Sequence, residues 1–187
     1  MKRVVFVFLF VFVVFAAKSQ VPFFALKVMG GVNFPSFTVE SATTATHSAN
    51  YVFSLDAMLG KKNYFQGGFA LRKYKGVFTV GGVNSDLVFP VINFHAYYGH
   101  QILGFPAVKL RLFTGLGYDI LDTPSSSAFV VLPEDFNSSV YNFVIGTELK
   151  AAFFLFSLQY ELGLTDMFAK YAMKNNIFIA KVGISIL

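Results

Sequence analysis

The most restrictive feature of this chain is a two-residue alternation of apolar and polar side chains. In "SLQYELGL", Leu158, Tyr160 and Leu162 alternate with Gln159 and Glu161. Successive side chains of a β-strand point to opposite faces, so a strand here has one apolar and one polar face. The pattern predicts eight strands. The other seven lie in "FFALKVMGGVNF", "NYVFSLDAMLG", "YFQGGFALRKY", residues 87–99, residues 107–119, residues 141–150 and "NIFIAKVGISIL".

The connections between these strands alternate in length. Those at residues 35–50, 75–86, 120–140 and 165–175 are long or of medium length, whereas those at residues 60–63, at residues 100–106 and near Lys150 are short. An up-and-down transmembrane barrel needs this order, because long loops lie on one side of the membrane and tight turns on the other. Strands of about ten residues also match a tilted membrane crossing.

The first 19 residues have the layout of a secretory signal peptide. Lys2 and Arg3 precede an apolar run over residues 4–15, and the small residues Ala17 and Ser19 precede a predicted cut after Ser19. An uncleaved membrane anchor is the alternative, although the run is shorter than the roughly 20 residues that a spanning helix needs. We therefore expect a signal peptide at residues 1–19 and a single outer membrane β-barrel domain at residues 20–187.

Composition excludes several classes of function. The chain has no cysteine, which excludes disulfides and thiolate metal sites. Removal of Lys2, Arg3 and Lys18 leaves 12 basic against 10 acidic residues, a net charge of +2. No arginine-rich stripe or nucleic-acid motif is present, so no nucleic-acid partner is expected.

Composition also decides which face of each strand points outward. A soluble lipocalin-like barrel alternates too, with its polar residues outside. Here the polar faces are mostly small or uncharged, with one or two charges per strand, which is too little charge for a water-facing surface. Such faces suit the narrow lumen of an eight-stranded barrel. The sequence therefore predicts a luminal polar and charged network of Lys27, Asp56, Arg72, His95, Lys109, Arg111, Asp119, Glu148, Gln159, Glu161 and Lys181.

Tyrosines near the predicted strand ends indicate aromatic girdles at the membrane interfaces. They are Tyr51, Tyr64, Tyr118 and Tyr141.

Three short stretches resemble a known family. "GGVNFP", "YELGLTDM" and "AKVGISIL" are similar to the PorT-like outer membrane β-barrel family of Gram-negative bacteria, a group of small OmpX/OmpA-like barrels. The resemblance extends over nearly all of the chain after residue 19. It implies an eight-stranded barrel in the outer membrane. The namesake member is linked to secretion of cargo, but no matched residue transfers that role to this chain.

No catalytic, cofactor or metal site is predicted. His95 and His100 fall on opposite faces of one strand, so they cannot share a metal, and His95 is interpreted as a filler of the lumen. Ser54 and Ser157 point inward, but no His–Ser–acid spacing recurs that would indicate a lipid hydrolase.

The leading hypothesis is an outer membrane barrel with a structural or surface-interaction role. It is surrounded by outer membrane lipid, and its external loops, at residues 35–50 and 120–140, are the predicted contacts for another envelope or surface protein. A narrow pore or a component of a secretion assembly, an enzyme acting on outer membrane lipid, and a soluble lipocalin-like carrier are the alternatives.

Overall fold

Ten antiparallel strands make up the regular structure of the described part of the chain. The computed structural model describes residues 24–38, 45–80, 83–122, 125–126, 136–168 and 173–186. The predicted signal peptide lies outside these residues. No described segment is a helix long and apolar enough to cross a membrane. The strands are β1 (Phe24–Thr38), β2 (Ala45–His47), β3 (Asn50–Gly60), β4 (Asn63–Val80), β5 (Val83–Gly104), β6 (Val108–Leu121), β7 (Ser125–Ser126), β8 (Ser139–Ala151), β9 (Phe154–Gly163) and β10 (Lys174–Ile186).

The eight long strands close into a barrel. Each pairs with its two neighbours in the order β4, β3, β1, β10, β9, β8, β6 and β5, and the pairing of β5 with β4 completes the ring. The seam between β1 and β10 is continuous from Leu26 opposite Ile186 to Thr38 opposite Lys174. Closure satisfies the backbone hydrogen bonds of every long strand, which is the condition for β-structure in a lipid bilayer.

The outer wall is apolar and the inner face is polar. Along β9, Ser157, Gln159 and Glu161 are buried, whereas Leu158 and Tyr160 are 48% and 40% exposed. Large apolar side chains cover the outside of the other long strands in the same way. Apolar side chains outside and polar side chains inside are the arrangement of a transmembrane barrel, whereas a soluble carrier has the reverse arrangement. The predicted eight-stranded antiparallel up-and-down transmembrane β-barrel is thus confirmed.

The two ends of the barrel differ. The turn end carries the short connections at residues 61–62, 105–107 and 152–153, together with the start of β1 and the end of β10. The loop end carries the remaining connections. The turn predicted near Lys150 lies between β8 and β9 at residues 152–153, where Ala152 has a φ of 54°.

A sheet extends from the barrel at the loop end. Residues 75–86 were predicted to be a connecting loop, but β4 and β5 remain paired from Arg72 opposite Val91 to Val80 opposite Val83. β2 pairs with the outer part of β4, and β7 pairs with the outer part of β5. The result is a four-stranded loop-end extension in the order β2, β4, β5 and β7. The two segments predicted as long loops, residues 35–50 and 120–140, supply its flanking strands.

Candidate functional site

Arg72 organises the loop-side half of the lumen. Its Nη1 and Nη2 donate to Oε1 and Oε2 of Glu161 at 3.0 and 2.9 Å, and Nη2 also donates to Oδ1 of Asp119 at 2.5 Å. All three side chains are fully or almost fully buried. Paired donation to a carboxylate is the strongest geometry that a guanidinium offers. β4, β6 and β9 are therefore joined across the lumen.

Neutral side chains complete the coordination of Asp119. The hydroxyl of Tyr74 donates to Oδ2 at 2.6 Å, Nδ2 of Asn142 donates to Oδ2 at 2.8 Å, and Nδ2 of Asn93 donates to Oδ1 at 2.7 Å. With Arg72, this carboxylate accepts four hydrogen bonds. Such full satisfaction is what a buried charge requires in order to be tolerated.

A second group of side chains continues the network toward the turn end. Nδ1 of His95 lies 2.8 Å from Oδ1 of Asn93, an oxygen that can only accept, so Nδ1 is the donor in this hydrogen bond. Nε2 of His95 contacts Asp56. Ser54 donates to Asp56 at 3.1 Å, and Lys181 donates to Ser54 at 3.4 Å. One chain of contacts thus runs from β10 to the Arg72 group.

The turn-side half of the lumen is organised around Glu148. Lys27 donates to both of its oxygens at 2.8 and 3.0 Å, and Arg111 donates to Oε1 at 2.7 Å. Lys27 also donates to Gln66 at 2.6 Å. The ring of Tyr64 lies beside both cations, 5.6 Å from Lys27 Nζ and 5.5 Å from the guanidinium carbon of Arg111.

An apolar cluster of buried side chains adjoins the charged network and extends from it toward the loop end. Phe89 contacts Phe136 and Phe168, with ring centroids 5.9 and 6.3 Å apart. Phe168 also forms a β-bridge with Met173, so described residues on both sides of residues 169–172 join this cluster. We call these side chains the loop-end plug: Phe37, Val52, Ala70, Tyr74, Phe89, Val91, Leu121, Phe136, Val140, Met167, Phe168, Met173, Ile177 and Ile179.

The structure brings most of the predicted luminal residues together. Ten of the eleven are buried in the two halves of the network; the exception is Lys109, which is half-buried at the turn end opposite Lys150. Tyr64 is not a girdle residue, because it is 1% exposed inside the lumen. The sequence contains this information, because Tyr64 and Tyr74 alternate in step with Gln66 and Arg72 and therefore lie on the same, inward face of β4.

Ser54, Asp56 and His95 contact one another, but not in the order that a serine hydrolase site requires. Nucleophilic catalysis by serine needs the histidine to accept the serine proton and the acid to orient the histidine. Here Asp56 lies between Ser54 and His95, and the other ring nitrogen of His95 contacts Asn93. Among the described residues, no group of histidine or acidic side chains has the geometry to hold a metal ion.

A closed barrel of eight strands with an apolar wall and a packed polar lumen belongs to the class of small transmembrane β-barrels. The solved structures place the chain in the same class of fold. OprG from Pseudomonas aeruginosa matches with a TM-score of 0.54 and 11% identity, over 87% of this chain and 94% of that one.

Two further outer membrane barrels are similar. Neisserial surface protein A matches with a TM-score of 0.52 and 11% identity, over 85% of this chain and 96% of that one. Ail of Yersinia pestis, solved in complex with the heparin analogue sucrose octasulfate, matches with a TM-score of 0.50 and 13% identity, over 87% of this chain and 99% of that one. At these identities the likeness concerns the fold. No family model and no curated protein matches the sequence.

Proposed function

We propose that this protein is a closed, non-catalytic barrel of the bacterial outer membrane that presents its loop-end extension to a partner at the cell surface. The observation that carries the proposal is the filling of the lumen. The Arg72 network and the loop-end plug adjoin each other inside it and share Tyr74. An eight-stranded barrel has little internal space before side chains are added. A transport path through such an interior has no support.

The loop-end extension supports a role in contact. β4 and β5 continue for eight residues each beyond Arg72 and Val91, a length of about 27 Å at the rise of an extended strand. β2 and β7 broaden this ribbon on either side. Binding surfaces are often built from such peripheral segments, held by a rigid scaffold.

We also infer that the protein lies in the outer membrane and belongs to the PorT-like family. The apolar wall favours a bilayer, and export through a signal peptide cleaved after Ser19 favours the outer membrane. Membership of the PorT-like family is supported by the stretches "GGVNFP", "YELGLTDM" and "AKVGISIL". Cell fractionation tests the location, and the mass of the mature chain tests the cut before Gln20.

Conductance in a planar bilayer separates a closed barrel from a pore. We expect folded wild-type protein, identified by heat-modifiable mobility on gels, to show no steady channel. A variant carrying Phe89→Ala, Met167→Ala and Phe168→Ala removes three members of the loop-end plug and serves as the matched comparison. If the wild type conducts steadily and the variant conducts no more than the wild type, the plug does not block the lumen. That result would favour the pore over the closed barrel.

The loop-end extension is tested by shortening it. Replacing residues 77–86 with Asn-Gly joins Gly76 to Leu87, a directly paired position, through a two-residue hairpin turn. We expect this variant to fold. A photoreactive residue at exposed Ala49, two residues after the end of β2, should give a discrete adduct in the native envelope that shortening abolishes. The same probe at Leu112 on the outer wall is the control. Equal adducts from both positions would contradict the proposal.

A further inference from the structure

The two halves of the lumen differ in charge. The loop-side half pairs Arg72 with Asp119 and Glu161, so acidic side chains are in excess there. In the turn-side half, basic side chains are in excess. Its basic side chains are Lys27, Lys109, Arg111 and Lys150, and Glu148 is the carboxylate that bonds two of them.

Lys109 and Lys150 are the cations of this half that have no carboxylate partner among the described residues. They face each other across β6 and β8, one luminal position nearer the turn end than the paired Arg111 and Glu148. Both are half-buried, and neither forms an ion pair with any residue that the structure describes. Lys150 interacts electrostatically with Lys109, Arg111 and Glu148, which places all four groups in one field. Like charges on neighbouring residues repel each other, and an anion bound between them removes that cost.

Arg111 provides an independent observation. It is 4% exposed, and one nitrogen of its guanidinium bonds Glu148. Its Nε–H has no acceptor among the described residues. A buried, unsatisfied donor of this kind normally has a ligand or a solvent partner. Asp56, the other carboxylate that interacts with Lys27, is already bonded to His95 and Ser54.

We propose that Lys109, Arg111 and Lys150 form an anion-binding site at the turn-end mouth of the lumen, and that its ligand is a phosphate group. Guanidinium and ammonium donors are the groups that proteins use for phosphate oxygens. Glu148 and Tyr64 hold the guanidinium of Arg111 from the luminal side. The ligand has two sources of the same chemistry: free phosphate, or the headgroup of an anionic phospholipid in the adjoining leaflet.

The test compares two double variants of the full barrel folded in detergent. Lys109→Gln with Lys150→Gln removes two charges from the mouth. Lys61→Gln with Lys62→Gln removes two charges from the exposed turn between β3 and β4 at the same end, and is the matched control. The loss of charged hydrogen bonds should weaken binding by about tenfold or more in the mouth variant. Calorimetric titration with inorganic phosphate measures the affinity, with sodium chloride at equal ionic strength as the salt control.

A second readout distinguishes this site from a structural role. Without phosphate, the mouth variant should unfold at a higher temperature than wild type, because it removes repulsion. With phosphate, wild type and the turn variant should be stabilised and the mouth variant should not. Stabilisation by phosphatidylglycerol vesicles but not by free phosphate, again lost in the mouth variant, would support the lipid source. Equal effects of chloride and phosphate, or equal responses from both double variants, would overturn the proposal.

Discussion

Arg72 is the residue on which charge balance in the loop-side lumen depends. It is the cation bonded to both Asp119 and Glu161, and all three side chains are almost inaccessible to solvent. A buried ion group is not in itself a source of stability, because desolvation offsets the attraction. Removal of Arg72 is different, since it leaves two buried carboxylates that keep their neutral hydrogen-bond donors but have lost their bonded cation.

Arg72→Met should therefore destabilise the folded barrel by about 3–5 kcal/mol. Urea unfolding in lipid vesicles measures the change. Lys73→Met is the control, because Lys73 is the next residue along β4 and is only half-buried. Adding Asp119→Asn and Glu161→Gln to Arg72→Met should recover much of the loss. If the triple variant were no more stable than the single one, charge balance would not be the cause.

Gly99 makes room for an aromatic ring. A methyl group at this position would lie 2.1 Å from Cζ of Tyr64, which is directly opposite on β4. Gly99→Ala should cost about 1–3 kcal/mol through overpacking. A methyl group at Gly30 would have no neighbouring atom within 4 Å, so Gly30→Ala should be neutral or stabilising by up to about 1 kcal/mol.

A double-variant cycle shows whether the ring is responsible. Tyr64→Ala empties the space, so Gly99→Ala should cost less in its presence than in the wild type. Additive losses would mean that the glycine is needed for another reason. Unfolding free energies of the four proteins provide the measurement.

Among the connecting elements, the turn between β8 and β9 is the one with the least sequence signal. It contains neither glycine nor proline, so the sequence locates it only near Lys150. In the structure Ala152 adopts a φ of 54°, a region that non-glycine residues enter at a cost of about 1–2 kcal/mol. Ala152→Gly should stabilise the barrel by about 0.5–1 kcal/mol, after the greater freedom of glycine in the unfolded chain is considered. Ala151→Gly, one residue earlier, should destabilise, and the opposite order in thermal unfolding would contradict this account.

The loop-end extension includes residues 75–86, which the sequence pattern predicts to be a connecting loop. Residues 75–86 contain Val77, Thr79 and Val80, which favour strands, and Gly81-Gly82 is a known signal for a two-residue hairpin. These residues extend beyond the length that a membrane crossing needs, and in the structure they continue the pairing of β4 and β5 outside the barrel. β2 and β7 are only three and two residues long and carry no periodic signal. They form because the ribbon offers them open edges.

At the scale of the whole molecule, the side-chain facing was predictable and the partners in the lumen were not. Alternation assigns Arg72, Asp119 and Glu161 to the inner face from sequence alone. Their contact requires closure of the barrel and a particular stagger of β4, β6 and β9, which local pattern does not encode. The same limit applies to Lys109, since its half-buried place at the mouth depends on where β6 begins.

If the whole barrel lies in a bilayer, the apolar side chains of its outer wall contact lipid, and the cost of placing a charge there depends on depth in the membrane. Leu116 is 56% exposed in the middle of β6, and Phe105 is 63% exposed in a turn-end connection. Leu116→Arg should cost about 2–4 kcal/mol, because it places a charge near the centre of the bilayer, whereas Phe105→Arg should cost at most about 1 kcal/mol near the interface. Unfolding in vesicles measures both. In a soluble barrel both positions would face water, so an arginine at Leu116 would cost no more than one at Phe105, and that result would reject the membrane assignment of the outer wall.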